Sequence, residues 1–228
     1  SRADGTRVWR YLPLGVNQEA RNYVRGSVLT GVSTGAKFRV KGDLRHFPFA
    51  DGKQGQFLIT AQVRDVTFAY VPRAAAPGAE GWPALTQLAA ELQFEGNGMK
   101  IKGAAGTFAG AGRLQVKADA RIPDFKQSEV EVRGRVRGPL ADALALVNAA
   151  PVASTINQAL AKATATGNAD LELGLDLPLA AMARAQVRGT VTLAGNDIQL
   201  SPDSPPLTRA RGAVTFSDKG FQIVGAQA

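Results

Sequence analysis

Apolar and polar positions alternate with a period of two along most of this chain, and the alternation breaks at clusters of Gly, Asn, Asp and Pro. Between residues 185 and 225, Val187, Val191 and Leu193 interleave with Arg188, Thr190 and Thr192. Gly195-Asn196-Asp197 follows as an expected turn, with Ile198 and Leu200 on a return strand. Val214 and Phe216 then precede Ser217-Asp218-Lys219-Gly220, with Phe221 and Ile223 beyond. Side chains alternate faces along a strand, so each hairpin has one apolar and one wet side. Asn, Asp and Gly supply the backbone conformations that tight turns need.

The scheme recurs upstream. Phe38, Val40 and Leu44 share a face with Gly42, and Phe57, Ile59, Ala61 and Val63 are in phase. Val66, Phe68 and Tyr70 are one residue out of that phase, which predicts a β-bulge near Arg64-Asp65. Leu92 and Phe94 pair with Met99 and Ile101 across Gly96-Asn97-Gly98. Phe108 and then Leu114, Val116, Ala118 and Ile122 flank a turn at Gly110-Ala111-Gly112. Val130, Val132 and Val136 oppose Glu129, Glu131, Arg133 and Arg135, and Leu171, Leu173, Leu175 and Leu177 alternate with Asp170, Glu172 and Asp176. About a dozen strands joined mostly by hairpins predict an antiparallel meander rather than βαβ units.

Helical spacing appears in few places. Val16, Ala20, Tyr23 and Val24 predict a short helix capped by Asn17 and stopped at Gly26. Residues 140–163 read as two helices separated at Ala150-Pro151, the second striped by Val152, Ile156 and Leu160. Residues 72–83 read as a loop. The chain thus divides into a first strand set at 1–137, a helical break at 138–165 and a second strand set at 166–228. A further pattern (apolar, basic, Gly, any, apolar) occurs at Val40-Lys41-Gly42-Asp43-Leu44, Val132-Arg133-Gly134-Arg135-Val136, Val187-Arg188-Gly189-Thr190-Val191 and Ala210-Arg211-Gly212-Ala213-Val214. A glycine on an apolar face either relieves crowding in a curved core or leaves room for something to approach the backbone.

Composition narrows the chemistry. The 228 residues include 25 Gly and no Cys, so neither a disulfide framework nor a thiolate metal site is available. The longest charge-free run, 143–161, contains Pro151, Asn148, Asn157 and Gln158 and does not make a membrane span. The net charge of +8 permits anionic partners, but the cations are spread along strands, as a solvated outer face requires. Phe57, Phe68, Phe94 and Phe216 are in phase with aliphatic residues instead of interleaving with cations, which argues against stacking on nucleic acid. The lone histidine, His46, has no partner spacing for a metal site or a catalytic triad, and no phosphate-binding glycine motif is present. The carboxylate pairs Glu129/Glu131 and Asp170/Glu172 fall on the polar face. No enzyme, catalytic residue, metal or cofactor is expected. The chain opens Ser-Arg-Ala-Asp and stops just past an apolar strand, so a piece of a longer protein is expected, with any signal or anchor outside it.

Several ordered motifs carry a resemblance. They are Trp9-Arg10-Tyr11-Leu12-Pro13, Lys41-Gly42-Asp43-Leu44 with Phe47-Pro48-Phe49, Trp82-Pro83-Ala84-Leu85, Arg137-Gly138-Pro139-Leu140, Gly189-Thr190-Val191-Thr192-Leu193-Ala194-Gly195-Asn196 and Gly212-Ala213-Val214-Thr215-Phe216. In this order they resemble the YhdP-like branch of the AsmA-related envelope proteins of Gram-negative bacteria. The resemblance implies a mainly β fold: a long, strongly curved antiparallel meander sheet with an apolar trough and a few short helices. It further implies phospholipid carriage between inner and outer membranes, a periplasmic location and an inner-membrane anchor outside this stretch. Envelope protein partners are compatible with it, nucleic acid is not, and it brings no catalytic motif.

The residue pattern supports an apolar trough independently. Three short helices are too few to cover the apolar face of a sheet on the order of 55–60 Å wide. The sheet must fold onto itself or hold an apolar ligand. Expected trough residues are Phe57, Ile59, Val66, Phe68, Leu92 and Phe94; Met99, Ile101, Leu114, Val116, Val132 and Val136; Leu171, Leu173, Leu175, Val187, Val191 and Leu193; and Ile198, Val214, Phe216, Phe221 and Ile223. Two other readings compete: a scaffold in envelope biogenesis with a closed β core, and a basic binding protein for nucleic acid or acidic glycan.

Overall fold

The computed structural model describes residues 3–12, 18–50, 52–72, 82–127, 129–178, 184–218 and 220–227. Nearly all are organised by one antiparallel sheet. Its strands are β1 (Ala3–Asp4), β2 (Val28–Gly42), β3 (Gly55–Phe68), β4 (Leu85–Glu95), β5 (Gly98–Phe108) and β6 (Ala111–Ile122). They continue as β7 (Glu129–Pro139), β8 (Thr164–Ala165), β9 (Asn168–Pro178), β10 (Gln186–Gln199), β11 (Leu207–Ser217) and β12 (Gly220–Gln227). Each strand pairs with the next in sequence, except that β7 pairs with β9 and the stub β8 pairs with the far end of β10. The meander does not close, and the sheet continues unbroken past the helical interruption.

Among the described residues three α-helices accompany it: α1 (Gln18–Ser27), α2 (Leu140–Ala149) and α3 (Val152–Thr155). α1 leads directly into β2, while α2 and α3 lie between β7 and β8, so all three sit at the same ends of the strands. The opposite ends carry the connections between β2 and β3, β4 and β5, β6 and β7, and β11 and β12. One strand-end rim is therefore helical and the other is made of turns.

Hairpin register follows the sequence pattern where turn chemistry is strong. Leu92 faces Ile101 and Phe94 faces Met99 across the Gly96-Asn97 turn, and Phe216 faces Phe221 while Val214 faces Ile223. The bulge expected near Arg64-Asp65 is present, with Asp65 at φ 55° and the register shifting between Val63 and Val66. Two further bulges follow in adjacent strands, at Gln87 (φ 55°) in β4 and Gly103 (φ 57°) in β5. Each bulge bends its strand and adds right-handed twist.

Three local expectations are corrected. Gly195-Asn196-Asp197 is not a turn, because β10 runs through it to Gln199. Gly195, at φ 103°, makes a bulge that turns the Asn196 side chain into the protein, where it is 1% exposed. There its amide donates to the carbonyls of Thr166 and Asn168 and its oxygen accepts from the Ala194 N–H. The turn-forming capacity of the asparagine is thus used to fasten β8. Leu44 does not extend the face of Phe38 and Val40, since β2 stops at Gly42 and a 3-10 turn follows, capped by the Asp43 carboxylate on the Arg45 N–H. The second helix of the break ends at Thr155, so Ile156 and Leu160 belong to the turns after it. The expected cap at Asn17 and most of the loop at 72–83 lie outside the described residues.

The fold leaves much of itself uncovered. Its accessible surface is 14463 Å², against about 9,900 Å² for a compact monomer of the same mass. Among the described residues full burial of apolar side chains is confined to a few positions, among them Leu114 and Val116 on β6, Ala150 just after α2, Ala210 on β11 and Phe49 at the β2–β3 corner. The chain is a single open layer with two small packed ends.

Candidate functional site: the apolar face of the sheet

Directly paired residues of an antiparallel sheet point to the same side, so the register identifies what each face carries. One row runs Val116, Val136, Leu171, Val191, Val214, Ile223 from β6 to β12. Beside it runs Ala118, Gly134, Leu173, Gly189, Phe216, Phe221 across the same strands. A third links Ala61, Leu92, Ile101, Ala120, Val132, Leu175 and Val187 from β3 to β10. A fourth links Phe38, Ile59, Phe94, Met99 and Ile122, and Val40 faces Phe57. Past the bulges, Val66 pairs with Leu88 and Phe68 with Leu85, while Leu193 pairs with Ala169 and Gly212. None of these rows contains a charged residue.

The remaining expected residues lie at one end of this face. Leu114, two residues before Val116 on β6, is 1% exposed where β6 meets α2, and Val116 is also buried. Ile198 lies beyond the Gly195 bulge and pairs with Ala165 of β8 and Leu207 of β11. Leu88 belongs to the face but escapes a period-2 reading because the Gln87 bulge shifts its phase. Phe38 and Val40 were legible as sharing a face with Gly42 and complete the face on β2.

Aromatic rings lie against three glycines, Gly42, Gly55 and Gly189. A Cβ on Gly55 would lie 2.6 Å from the Phe49 ring, and one on Gly42 would lie 3.0 Å from it. Gly42 and Gly55 are each two residues from the Val40–Phe57 pair, so Phe49 folds back over the apolar face and is itself buried. Phe47 packs edge-on against Phe57 at 4.9 Å between centroids. A Cβ on Gly189 would meet the Phe216 ring at 2.3 Å, so that ring lies across β10. At these positions glycine makes room for the protein's own side chains. At Gly134 the nearest neighbour, the Ala118 Cβ, is at an ordinary 3.6 Å.

The other face is ionic. Arg121 pairs with Glu131, Asp176 bridges Arg133 and Arg188, and Asp170 bridges Arg135 and Arg137. The hydrogen bond from Arg135, joined by Arg137, holds the Asp170 carboxyl below the usual carboxylate range against the opposing effect of burial. For Asp176 burial pushes upward, and the hydrogen bonds from Arg133 and Arg188 outweigh it, so its pKa is also lowered. Two shallow depressions, of about 220 and 490 Å³, are lined largely from this side by Lys100, Arg121, Glu131, Arg133, Asp176 and Arg184. Among the described residues no group of His, Cys, Asp or Glu has the arrangement to hold a metal ion. Nor is any described helix long and apolar enough to cross a membrane.

Exposure distinguishes the centre of the apolar face from its edges. From β3 to β11 most of the large apolar residues of the rows are half-buried, although no layer of described residues covers most of them. On the flanking strands Phe38 is 69% and Phe221 76% exposed.

The chain is 26% identical over 220 residues to the intermembrane phospholipid transporter YhdP of Escherichia coli K12. That match covers 96% of this chain but only 16% of the relative, so the chain spans about one-sixth of that protein's length. No solved structure matches it. The family model of the YhdP protein matches residues 1–228, and the chain therefore belongs to the YhdP family.

Proposed function

We propose that this chain is a segment of an envelope-spanning phospholipid transporter, and that its apolar face carries acyl chains between the inner and outer membranes. The observation that carries this reading is the set of charge-free rows crossing the sheet, with no second layer of described residues above most of them. An amphipathic sheet in water needs its apolar face covered. Acyl chains are a suitable cover, because burying them yields about 25 cal/mol per Å² without demanding hydrogen bonds. The family relationship to a phospholipid transporter points the same way. Under this reading the working location is the periplasm, with an inner-membrane anchor elsewhere in the longer protein. The segment carries no reaction.

Organic extraction of the purified chain followed by lipid mass spectrometry tests the reading. Near-stoichiometric phospholipid is expected, and Val191→Asp or Leu173→Asp should abolish it while the β-sheet circular dichroism persists. A folded, lipid-free chain would instead favour a scaffold role for this segment. So would variants that lose lipid only because they unfold.

A further inference from the structure

The two tryptophans of the chain, Trp9 and Trp82, flank α1 at the helical rim. Trp9 lies in a 3-10 helix (Gly5–Tyr11) that packs on α1 and β2. Its indole carries two guanidiniums, that of Arg10 at 5.3 Å and that of Arg25 from α1 at 5.0 Å from the ring centre. Arg21, one helical turn before Arg25 on the same side of α1, donates to the carbonyls of Trp9 and Leu12 and so fixes this platform. On the other flank the Tyr23 hydroxyl donates to the Tyr70 carbonyl, and the Tyr70 ring packs edge-on against Trp82 at 5.9 Å. The corner adjoins the end of the apolar face. Phe68 pairs with Val28 and Leu85, Tyr70 follows it on the same chain, and Arg25 shortly precedes Val28. Next to the Val28–Phe68 pair, then, stand amphipathic aromatics and two stacked arginines.

We infer that Arg10 and Arg25, held against Trp9, form a phosphate-binding site for the headgroup of a phospholipid whose acyl chains lie on the adjoining apolar face. The inference rests on the acyl-chain reading above and supplies its polar end. Stacking on an indole holds a guanidinium in place and leaves its charge and its in-plane N–H donors available, and those donors suit phosphate oxygens. An anion at the edge of the indole stands within a Debye length, about 8 Å at physiological salt, of both charges. Cations without an ion pair occur elsewhere, Lys117 and Arg211 among them. Among the described residues, however, only this corner holds guanidiniums against an aromatic ring, and it holds two on the same one. Arg10 and Arg25 also sit in the last turns of their helices, where a cation complements the dipole. That role requires no indole and no second arginine beside the first.

Trp82→Phe leaves Trp9 as the single tryptophan reporter. The chain carrying it, stripped of retained lipid, is titrated with three probes: monomeric dihexanoylphosphatidylglycerol, dihexanoylglycerol with the same acyl chains and no phosphate, and glycerol phosphate. Trp9 emission should respond saturably to the phospholipid and far more weakly to the other two. Arg10→Gln and Arg25→Gln should each weaken phospholipid binding about fivefold, and together on the order of twentyfold. Arg25→Lys keeps the helix-end charge and should still lose affinity, which separates phosphate recognition from support of the helix and serves if a Gln variant misfolds. Phosphorus NMR of the same lipid with Trp82 in place repeats the measurement without the reporter substitution. Equal binding of phospholipid and dihexanoylglycerol, or folded Gln and Lys variants that bind as the parent does, would overturn the inference. Glycerol phosphate binding as tightly as the phospholipid would overturn it too, by making this a site for free phosphate esters. Retention of long-chain phospholipid is measured separately by extraction, so the two readings fail apart. A chain that retains lipid but is indifferent to Arg10 and Arg25 loses only the headgroup site. One that retains none, yet takes the short phospholipid through these arginines, loses only the acyl-chain reading.

Discussion

The centre of the sheet and its two edges are built from the same alternating sequence and arrive at different physical states. Between β7 and β10 the arginines on the outer side share carboxylates, and the leucines and valines of the inner side shade one another. On β2 and β12 the same alternation leaves aromatic side chains mostly in solvent. Period-2 patterning therefore specifies a face but not its cover. Neighbouring strands shade the middle laterally, and at the edges that shading is missing among the described residues.

The steepest test of this contrast is at the α2 end of the apolar face, which protein does cover. Leu114 is almost fully buried where β6 meets α2, and Leu114→Ala should cost about 2–5 kcal/mol through lost transfer energy and a residual cavity. A urea midpoint that hardly moves would mean that α2 is loosely held and that this end of the face is as open as the rest.

Asn196→Ala comes next. The asparagine is buried and makes contacts to the Ala194 N–H and to the carbonyls of Thr166 and Asn168, so its removal strands buried backbone groups. A loss of about 1–3 kcal/mol is expected, with increased hydrogen exchange concentrated at β8 and the end of β10. Loss spread evenly over the sheet would show that β8 is not a local fastening.

Asn196 also marks where the sequence stopped being legible. Gly-Asn-Asp is strong turn chemistry, and the local signal could not reveal that the asparagine amide would be recruited by carbonyls thirty residues away. The hairpins at Gly96-Asn97 and at 217–220 were legible because their flanking apolar runs match in length and phase, which local chemistry suffices to determine. The Asp65 bulge was visible as a phase slip within one strand. The Gln87 bulge was not, because Leu88 and Leu85 are both apolar and either phase fits. The apolar face was legible almost residue by residue, since charge never intrudes on it. The closure by Phe49 was hidden, because a ring folding back over Gly42 and Gly55 depends on the path of a corner and not on periodicity.

On the ionic face, Asp170→Asn should cost about 1 kcal/mol, since exposed pairs are individually weak and two arginines share this carboxylate. Its pH dependence gives a cleaner reading. The folded pKa is depressed by Arg135 first, then Arg137, so the stabilisation is complete above the unfolded value of about 3.9 and is lost as pH falls through the folded value. The wild-type chain should therefore lose stability on acidification below about pH 4 more steeply than Asp170→Asn. Parallel curves for the two proteins would mean that the bridge to Arg135 and Arg137 is not maintained in solution.

The smallest effect is expected at the β12 edge. Phe221→Ser should change stability by no more than about 0.5 kcal/mol, because a side chain 76% exposed has little burial to lose. Its only register partner on the apolar face is Phe216, whose ring is already supported by Gly189. The same substitution should also leave retained lipid nearly unchanged, whereas Val191→Asp two strands inward removes it. If Phe221→Ser instead lowered lipid retention as far as is expected of Val191→Asp, the edge would have to take the acyl-chain role proposed for the centre. The difference between centre and edge would then reduce to shading by neighbours, and the carrying face would run without a boundary to the last described strand.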